Sequence, residues 1–231
     1  MKTKSAVLFI SILGIFLYGG RVIALEQSLV YEFRAGKDYA ETDQRQYVQI
    51  EDLPSGEQLF KRKVKADDYT ENERFVLGPE GETRSWQLSC SAKDTDYSGE
   101  RKGDELFIKG IIKGEEVDRK IAIDEKPFYY EPKFNLSSFV LSDAKEIRFW
   151  IMPIEKLKAY PMKARKMGEV TTNVNGQDFK AVKIYYAATG IAEKFYHRLY
   201  YFRKSDGVFV KKEDPGGSGG TTILVSEDAL Q

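Results

Sequence analysis

Apolar and polar residues alternate with a period of two through most of this chain. Such alternation marks strands with one buried face, and turn-forming residues punctuate it every ten to fifteen positions or so. The pattern predicts strands at 29–33, 44–50, 59–64, 74–77 and 83–92, then at 106–112 and 117–123. Pro54-Ser55-Gly56 and Gly78-Pro79-Glu80-Gly81 read as turns, and Gly114-Glu115 as a hairpin tip. Further strands are predicted at 147–154, 162–172, 179–187, 195–203, 208–212 and 221–225. Asn173-Val174-Asn175-Gly176 and Ser205-Asp206-Gly207 are tight turns, and 214–220 is a glycine-rich loop.

Residues 125–144 break this rhythm. Pro127 and Pro132 hold the segment between them extended. Residues 135–142 then form the short-helix candidate. Asn135 is placed to cap it, and Leu136, Phe139 and Val140 fall on one face. No long helical pattern alternates with the strands, so a doubly wound parallel sheet is disfavoured. The expected fold is mainly β: an antiparallel curved sheet of about a dozen strands, an open barrel or half-barrel with few helices. Neither a repeat nor a linker divides it, so residues 25–231 are expected to be one domain.

Two segments carry large apolar groups on both faces. In Phe195–Phe202, Phe195, Leu199 and Tyr201 fall on one face, and Tyr196, Tyr200 and Phe202 on the other. Phe149-Trp150-Ile151-Met152 is similar. A sheet with one face in water shows cleaner alternation, so these strands need cover on both sides or line a cavity.

The first 24 residues differ from the rest. Lys2 and Lys4 precede an almost uncharged run, Ser5–Gly20, and Val22-Ile23-Ala24 supplies a cut site. This is the layout of a secretory signal peptide at 1–24. The apolar run of about 15 residues is short of the roughly 20 that span a bilayer, and no second hydrophobic span appears, so none is expected after cleavage. The expected location is periplasmic or secreted.

The whole chain has 36 Lys+Arg and 36 Asp+Glu. Cleavage after Ala24 removes Lys2, Lys4 and Arg21 and no acid, leaving 33 bases, 36 acids and a net charge of −3 on 207 residues. Such a balance argues against general nucleic-acid binding. The single histidine, His197, and single cysteine, Cys90, cannot furnish a transition-metal shell or an intrachain disulfide. His197 sits in the aromatic strand with no partner legible in sequence. Cys90 alternates in phase with Trp86 and Leu88, which reads as a small buried residue.

Residues 94–105 contain the strongest local motif. Counted from Asp94, acids stand at positions one and three, serine at five, glycine at six and Glu105 at twelve. Oxygens from Asp94, Asp96, Ser98 and Glu105 would suit calcium, which takes hard ligands from alternate loop positions. Against this, the flanks read as strands, and Arg101 and Lys102 bring positive charge. The competing reading is a solvated hairpin loop. Calcium is therefore a weak expectation and no other cofactor is expected. Acid pairs such as Asp67-Asp68 and Glu115-Glu116 read as solvated turns. The glycines of 216–220 lack the lysine and helix of a phosphate loop.

Residues 123–129, 147–153 (IRFWIMP), 174–176 with 180–184, and 200–210 (YYFRKSDGVFV) resemble, in order and spacing, a family of exported bacterial proteins of unknown function. That family's fold is similar to the periplasmic lipoprotein carriers of the LolA type. The resemblance covers roughly residues 100–228. It implies an open antiparallel half-barrel wrapped around one or more helices, with an apolar concave side where LolA-type relatives bind acyl chains. Those carriers have more lid helices than the one short candidate here. No catalytic residue follows from the resemblance. The first functional expectation is an exported, non-enzymatic protein binding an apolar ligand, a lipid or a lipoprotein acyl chain. The candidate lining is Trp86, Leu88, Phe149, Ile151, Tyr185 and Tyr201. The alternatives are an envelope carbohydrate hydrolase using a carboxylate pair, and a scaffolding module that docks an envelope protein.

Overall fold

In a computed structural model, residues 26–35, 40–66, 68–214 and 220–230 are described. The expected signal peptide and the glycine-rich part of the 214–220 loop lie outside them. Fourteen strands occur among the described residues. They are β1 Glu26–Ala35, β2 Ala40–Asp52, β3 Gln58–Lys65, β4 Thr70–Leu77, β5 Thr83–Cys90, β6 Thr95–Lys102 and β7 Glu105–Ile112. After β8 Glu115–Ala122 and the helix α1, Pro132–Leu141, come β9 Glu146–Ile151 and β10 Tyr160–Val174. The rest are β11 Gln177–Ala188, β12 His197–Arg203, β13 Phe209–Glu213 and β14 Thr221–Leu230.

All fourteen belong to one antiparallel sheet, ordered β8-β7-β6-β5-β4-β3-β2-β1-β14-β13-β12-β11-β10-β9. The chain is a meander made continuous by pairing β1 with β14. The sheet curls without closing. Its seam is bridged at one end by the segment after β8. Trp150 N–H donates to Pro127 O and Tyr129 N–H to Trp150 O, each at 2.8 Å. On the other side of the segment, Thr83 N–H donates to Phe128 O at 2.8 Å and Tyr130 N–H to Thr83 Oγ1 at 3.0 Å. The two prolines keep this piece extended enough to act as a short splice between β9 and β5.

The helix lies inside the curl. Phe134 packs on Phe60, Phe75 and Tyr31, with centroids 5.3, 5.9 and 6.0 Å away. Leu136, Phe139 and Val140 are also buried. Burying each such side chain stabilises by about 1.5–3 kcal/mol. Pro132 opens α1 at its first turn, where its missing N–H costs nothing. Asn135 lies inside the helix rather than before it. Its Oδ1 accepts from Glu131 N–H at 3.0 Å, and its Nδ2 donates to Gly81 O (2.7 Å) and Thr83 Oγ1 (2.8 Å). The expected cap is thus a tether between α1 and the β4–β5 turn.

Two further expectations changed. Residues 95–102 form β6, a full strand, where the sequence suggested a loop. Phe195 lies outside β12 and is 83% exposed, like Ile191 beside it on the β11–β12 connection. Among the described residues, no helix is long and apolar enough to cross a membrane.

Candidate functional site

The concave face carries a polar cluster at the start of α1 and an aromatic wall along it. Arg62 of β3 is the centre. Its Nε and Nη2 grip both carboxylate oxygens of Glu73 at 2.6 and 2.5 Å, and its Nη1 donates to Gln46 Oε1 at 3.2 Å. Glu131 lies 3.4 Å and Glu71 3.6 Å from the same guanidinium. Lys133 donates to Gln46 Oε1 at 2.7 Å and lies 3.6 Å from Glu131, while Lys93 bonds Glu71 at 3.1 Å. Tyr130 donates to Glu73 at 3.3 Å, and Tyr97 and Tyr130 join through their hydroxyls at 3.2 Å.

Three acids here face three bases, so the cluster is neutral as a whole. Burial lifts Glu73 above the ordinary carboxylate range, against the pull of Arg62. Burial works to raise Glu131 too, but Lys133 and Arg62 outweigh it and hold it low. Burial brings the Lys133 ammonium down to about 8, with Glu131 opposing. It also pushes both phenols up, so they remain donors at neutral pH. A carboxylate acting as nucleophile or acid needs an oxygen free to face a substrate. Glu73 has both oxygens engaged, and Glu131 is flanked by two cations. The cluster therefore fastens α1 to β2–β4 and offers no reacting pair.

At the other end of α1, a cleft of about 750 Å³ opens below the helix C-terminus. Its walls include the β4–β5 turn (Pro79, Glu80, Glu82), Arg84, the β6–β7 turn (Arg101, Gly103, Asp104) and Glu125. Its floor includes Pro127, Tyr129, Phe139 and Ile147. The β4–β5 turn is fixed by Gly81. This residue has φ +87°, and a Cβ there would meet Asn135 O at 2.5 Å, so only glycine fits on both counts. Nearby, Asp124 accepts from Trp150 Nε1 at 2.6 Å and from Lys126 N–H at 3.0 Å. Bonding by Lys126 and then by Trp150 lowers the Asp124 carboxyl to about 2.

The six residues expected to line an apolar site do not share one cavity. Trp86, Leu88, Phe149 and Tyr201 are buried. Trp86 lies against Phe128 and Tyr130, and Phe149 against Tyr129 and Tyr186, so their neighbours are the chain's own rings. Ile151 is half-buried at the end of β9. Tyr185 and Tyr201 alternate with the inward Tyr186 and Tyr200 and so lie on the outer face, where Tyr185 is half-buried and Tyr201 is covered by its neighbours. There Tyr185 stacks on His197 beneath Arg165, and Tyr201 donates to Glu213 at 2.7 Å between Lys183 and Lys211. Cys90 is buried in phase with Trp86 and Leu88.

The four residues of the calcium spacing are spread along a hairpin. Asp94 precedes β6 at one end, Asp96 and Ser98 follow along it, and Glu105 pairs with Lys102 at the other end. No group of three or more metal-ligating side chains occurs among the described residues. The cleft itself was not legible in sequence. Its walls come from five separate segments, and no local spacing signals that they meet.

No protein-family model matches the chain, and no curated protein matches it. Among solved structures, it is similar to a β-barrel-like protein of the domain of unknown function DUF1849 from Brucella abortus. The TM-score is 0.58 at 8% identity, over 90% of this chain and 98% of that one. A second match, a DUF1329 family protein from Desulfovibrio piger, has a TM-score of 0.23 at 11% identity, over 90% of this chain and 87% of that one. The first likeness is one of fold alone, and neither neighbour is described as a LolA-type carrier. The chain is thus a mostly β protein, an unclosed fourteen-stranded antiparallel sheet around one helix, with a β-barrel-like neighbour of unknown function.

Proposed function

We propose that this protein is an exported, non-enzymatic binding module whose curled sheet is a frame for surface recognition rather than a chamber for an acyl chain. The observation that carries this reading is the position of α1. The helix fills the concave side, and Phe134, Leu136, Phe139 and Val140 take the place that an apolar ligand would need. Export rests on the signal-peptide pattern of residues 1–24. The non-enzymatic part of the proposal rests on the polar cluster, where every acid is held by a base; catalysis by the acids of the cleft under α1 is tested separately below. A carrier would have to expel α1 and break the Asn135 bonds to Gly81 and Thr83.

Native mass spectrometry of protein purified from a periplasmic extract under mild conditions tests both halves. The expected mass is that of the chain starting at Leu25, with no adduct and no uptake of added fatty acid. A retained lipid, or stoichiometric fatty-acid binding, returns the protein to the carrier class. A mass that includes residues 1–24 removes cleavage after Ala24.

A further inference from the structure

The cleft under the C-terminus of α1 has two polar atoms in its wall that nothing in the protein satisfies. Tyr129 is fully buried, and its hydroxyl has no hydrogen-bond partner. Tyr129 lines the cleft together with Glu82 and Glu80. Glu82 Oε2 is also buried without a partner, while its Oε1 is held by Arg84 at 2.5 Å. A buried polar group left unpaired is costly, and native proteins pair nearly all of theirs. The phenol needs an acceptor and the carboxylate oxygen a donor. A hydroxyl beside an amine supplies both.

The sign of the ligand follows from the walls. Five acids line the cleft, namely Glu80, Glu82, Asp104, Glu125 and Glu146, against two bases. Both bases are engaged: Arg84 with Glu82, and Arg101 with Gly103 O (2.9 Å) and Asp124 O (3.2 Å). Glu80, Asp104 and Glu125 have no basic partner within 4 Å among the described residues. At the C-terminus of α1 the Lys166 ammonium donates to Ser142 O and takes up the negative end of the helix dipole. The field of the wall acids disfavours an anion. The acids come from several segments, and no metal-ligating group of three or more occurs among the described residues. The apolar floor, with Phe139, Ile147 and Pro127, suits the flat face of a ring. A volume of about 750 Å³ is ample for a compact small molecule.

We infer that this cleft binds a cationic, hydroxylated ligand of the amino-sugar class, its ammonium on Glu82 and a hydroxyl oxygen accepting from Tyr129. The inference rests on the binding-module reading and names its site. Titration calorimetry at pH 6.5 with a β-1,4-linked glucosamine disaccharide tests it, with cellobiose as the uncharged comparator. The disaccharide is expected to bind, and cellobiose to bind about 5-fold more weakly or not at all. Tyr129→Phe keeps the ring stacked 4.5 Å from Phe149 and removes only the hydroxyl. It should weaken binding about 5-fold, the size of one hydrogen bond. Without ligand it should melt no lower than the parent protein, because an unpaired hydroxyl has been removed. Glu82→Gln should weaken binding at least as much.

No heat with the glucosamine disaccharide, or equal affinity for cellobiose, overturns the site. Unchanged binding by Tyr129→Phe overturns it as well. So does a lower melting temperature for that variant, since the hydroxyl would then already be satisfied by a bound water. Cleavage of the disaccharide would leave the site standing and remove the non-enzymatic reading. Failure to bind, in protein that also carries no lipid, would remove the site and leave that reading intact.

Discussion

Gly99 sits inward on β6, directly under the ring of Trp86. A Cβ there would come within 2.1 Å of the indole, which is closer than atoms can pack. The missing side chain is thus the space that Trp86 occupies, and the indole in turn lies 4.9 Å from Phe128 of the seam. Forcing a methyl group into a packed core costs about 1–3 kcal/mol. Gly99→Ala is expected to cost that much in denaturant unfolding, with the loss centred on Trp86 fluorescence. Gly103→Ala provides the comparison, because nothing lies within 4 Å of its Cβ position and only its φ of +58° is strained. If Gly99→Ala proves no more damaging than Gly103→Ala, the indole does not fill that space. The alternation that put Cys90 in phase with Trp86 and Leu88 was readable because all three are inward on one strand. The partner of Trp86 was not, because a glycine carries no hydropathy signal.

At the scale of elements, α1 is the piece on which the functional reading turns. Its apolar residues would hold it against any greasy surface. Asn135 gives it one position, through its bonds to Glu131, Gly81 and Thr83. Asn135→Leu keeps the branched shape with a larger side chain and leaves Gly81 O, Thr83 Oγ1 and Glu131 N–H without that partner. A loss of about 2–4 kcal/mol is expected, together with faster amide exchange across 132–141. A change under about 0.5 kcal/mol would mean that the helix is loosely seated, as a carrier's plug must be. Thirteen strand regions and the helix are legible as hydropathy patterns, most of the strands through an inward apolar series of period two. β6 is the exception. Its inward positions are Tyr97 and Gly99, and the rest of TDYSGERK is polar, so its pattern imitates a turn-rich loop. The same residues imitate a calcium loop because a two-residue period serves both an outward strand face and alternate cation ligands. The seam was illegible for another reason: residues 127–130 pair through backbone groups, which sequence does not label.

The whole molecule has a pH response that its buried groups dictate. Burial dominates at Lys133, which is met by Glu131 just before its helix and by Arg62, Glu73 and Lys212 from the sheet, and places its ammonium at about 8 against 10.5 when unfolded. Between these values the unfolded chain binds the extra proton, so stability rises with pH; below about 8 both states are protonated and the gain is absent. The full effect is at most about 3 kcal/mol. Lys166, also lowered by burial, acts in the same direction. The interior tyrosines act oppositely. Burial raises Tyr31, Tyr97, Tyr129, Tyr130, Tyr186 and Tyr200 above the ordinary 10.0, so above pH 10 the unfolded chain sheds protons that the folded one keeps. Stability must then fall as pH climbs further. Thermal melts should therefore show a rise from pH 7.5 to about 9.5 and a steep decline beyond about 10.5. In Lys133→Met the rise should shrink to the residue left by Lys166, while the alkaline decline stays, because the aromatic wall is untouched. A parent curve that is flat from pH 7.5 to 9.5 would mean that water reaches Lys133 and that the curl is open at the start of α1. That result would also remove the argument that the concave side is already full, since a wet interior has room for a ligand that a packed one lacks.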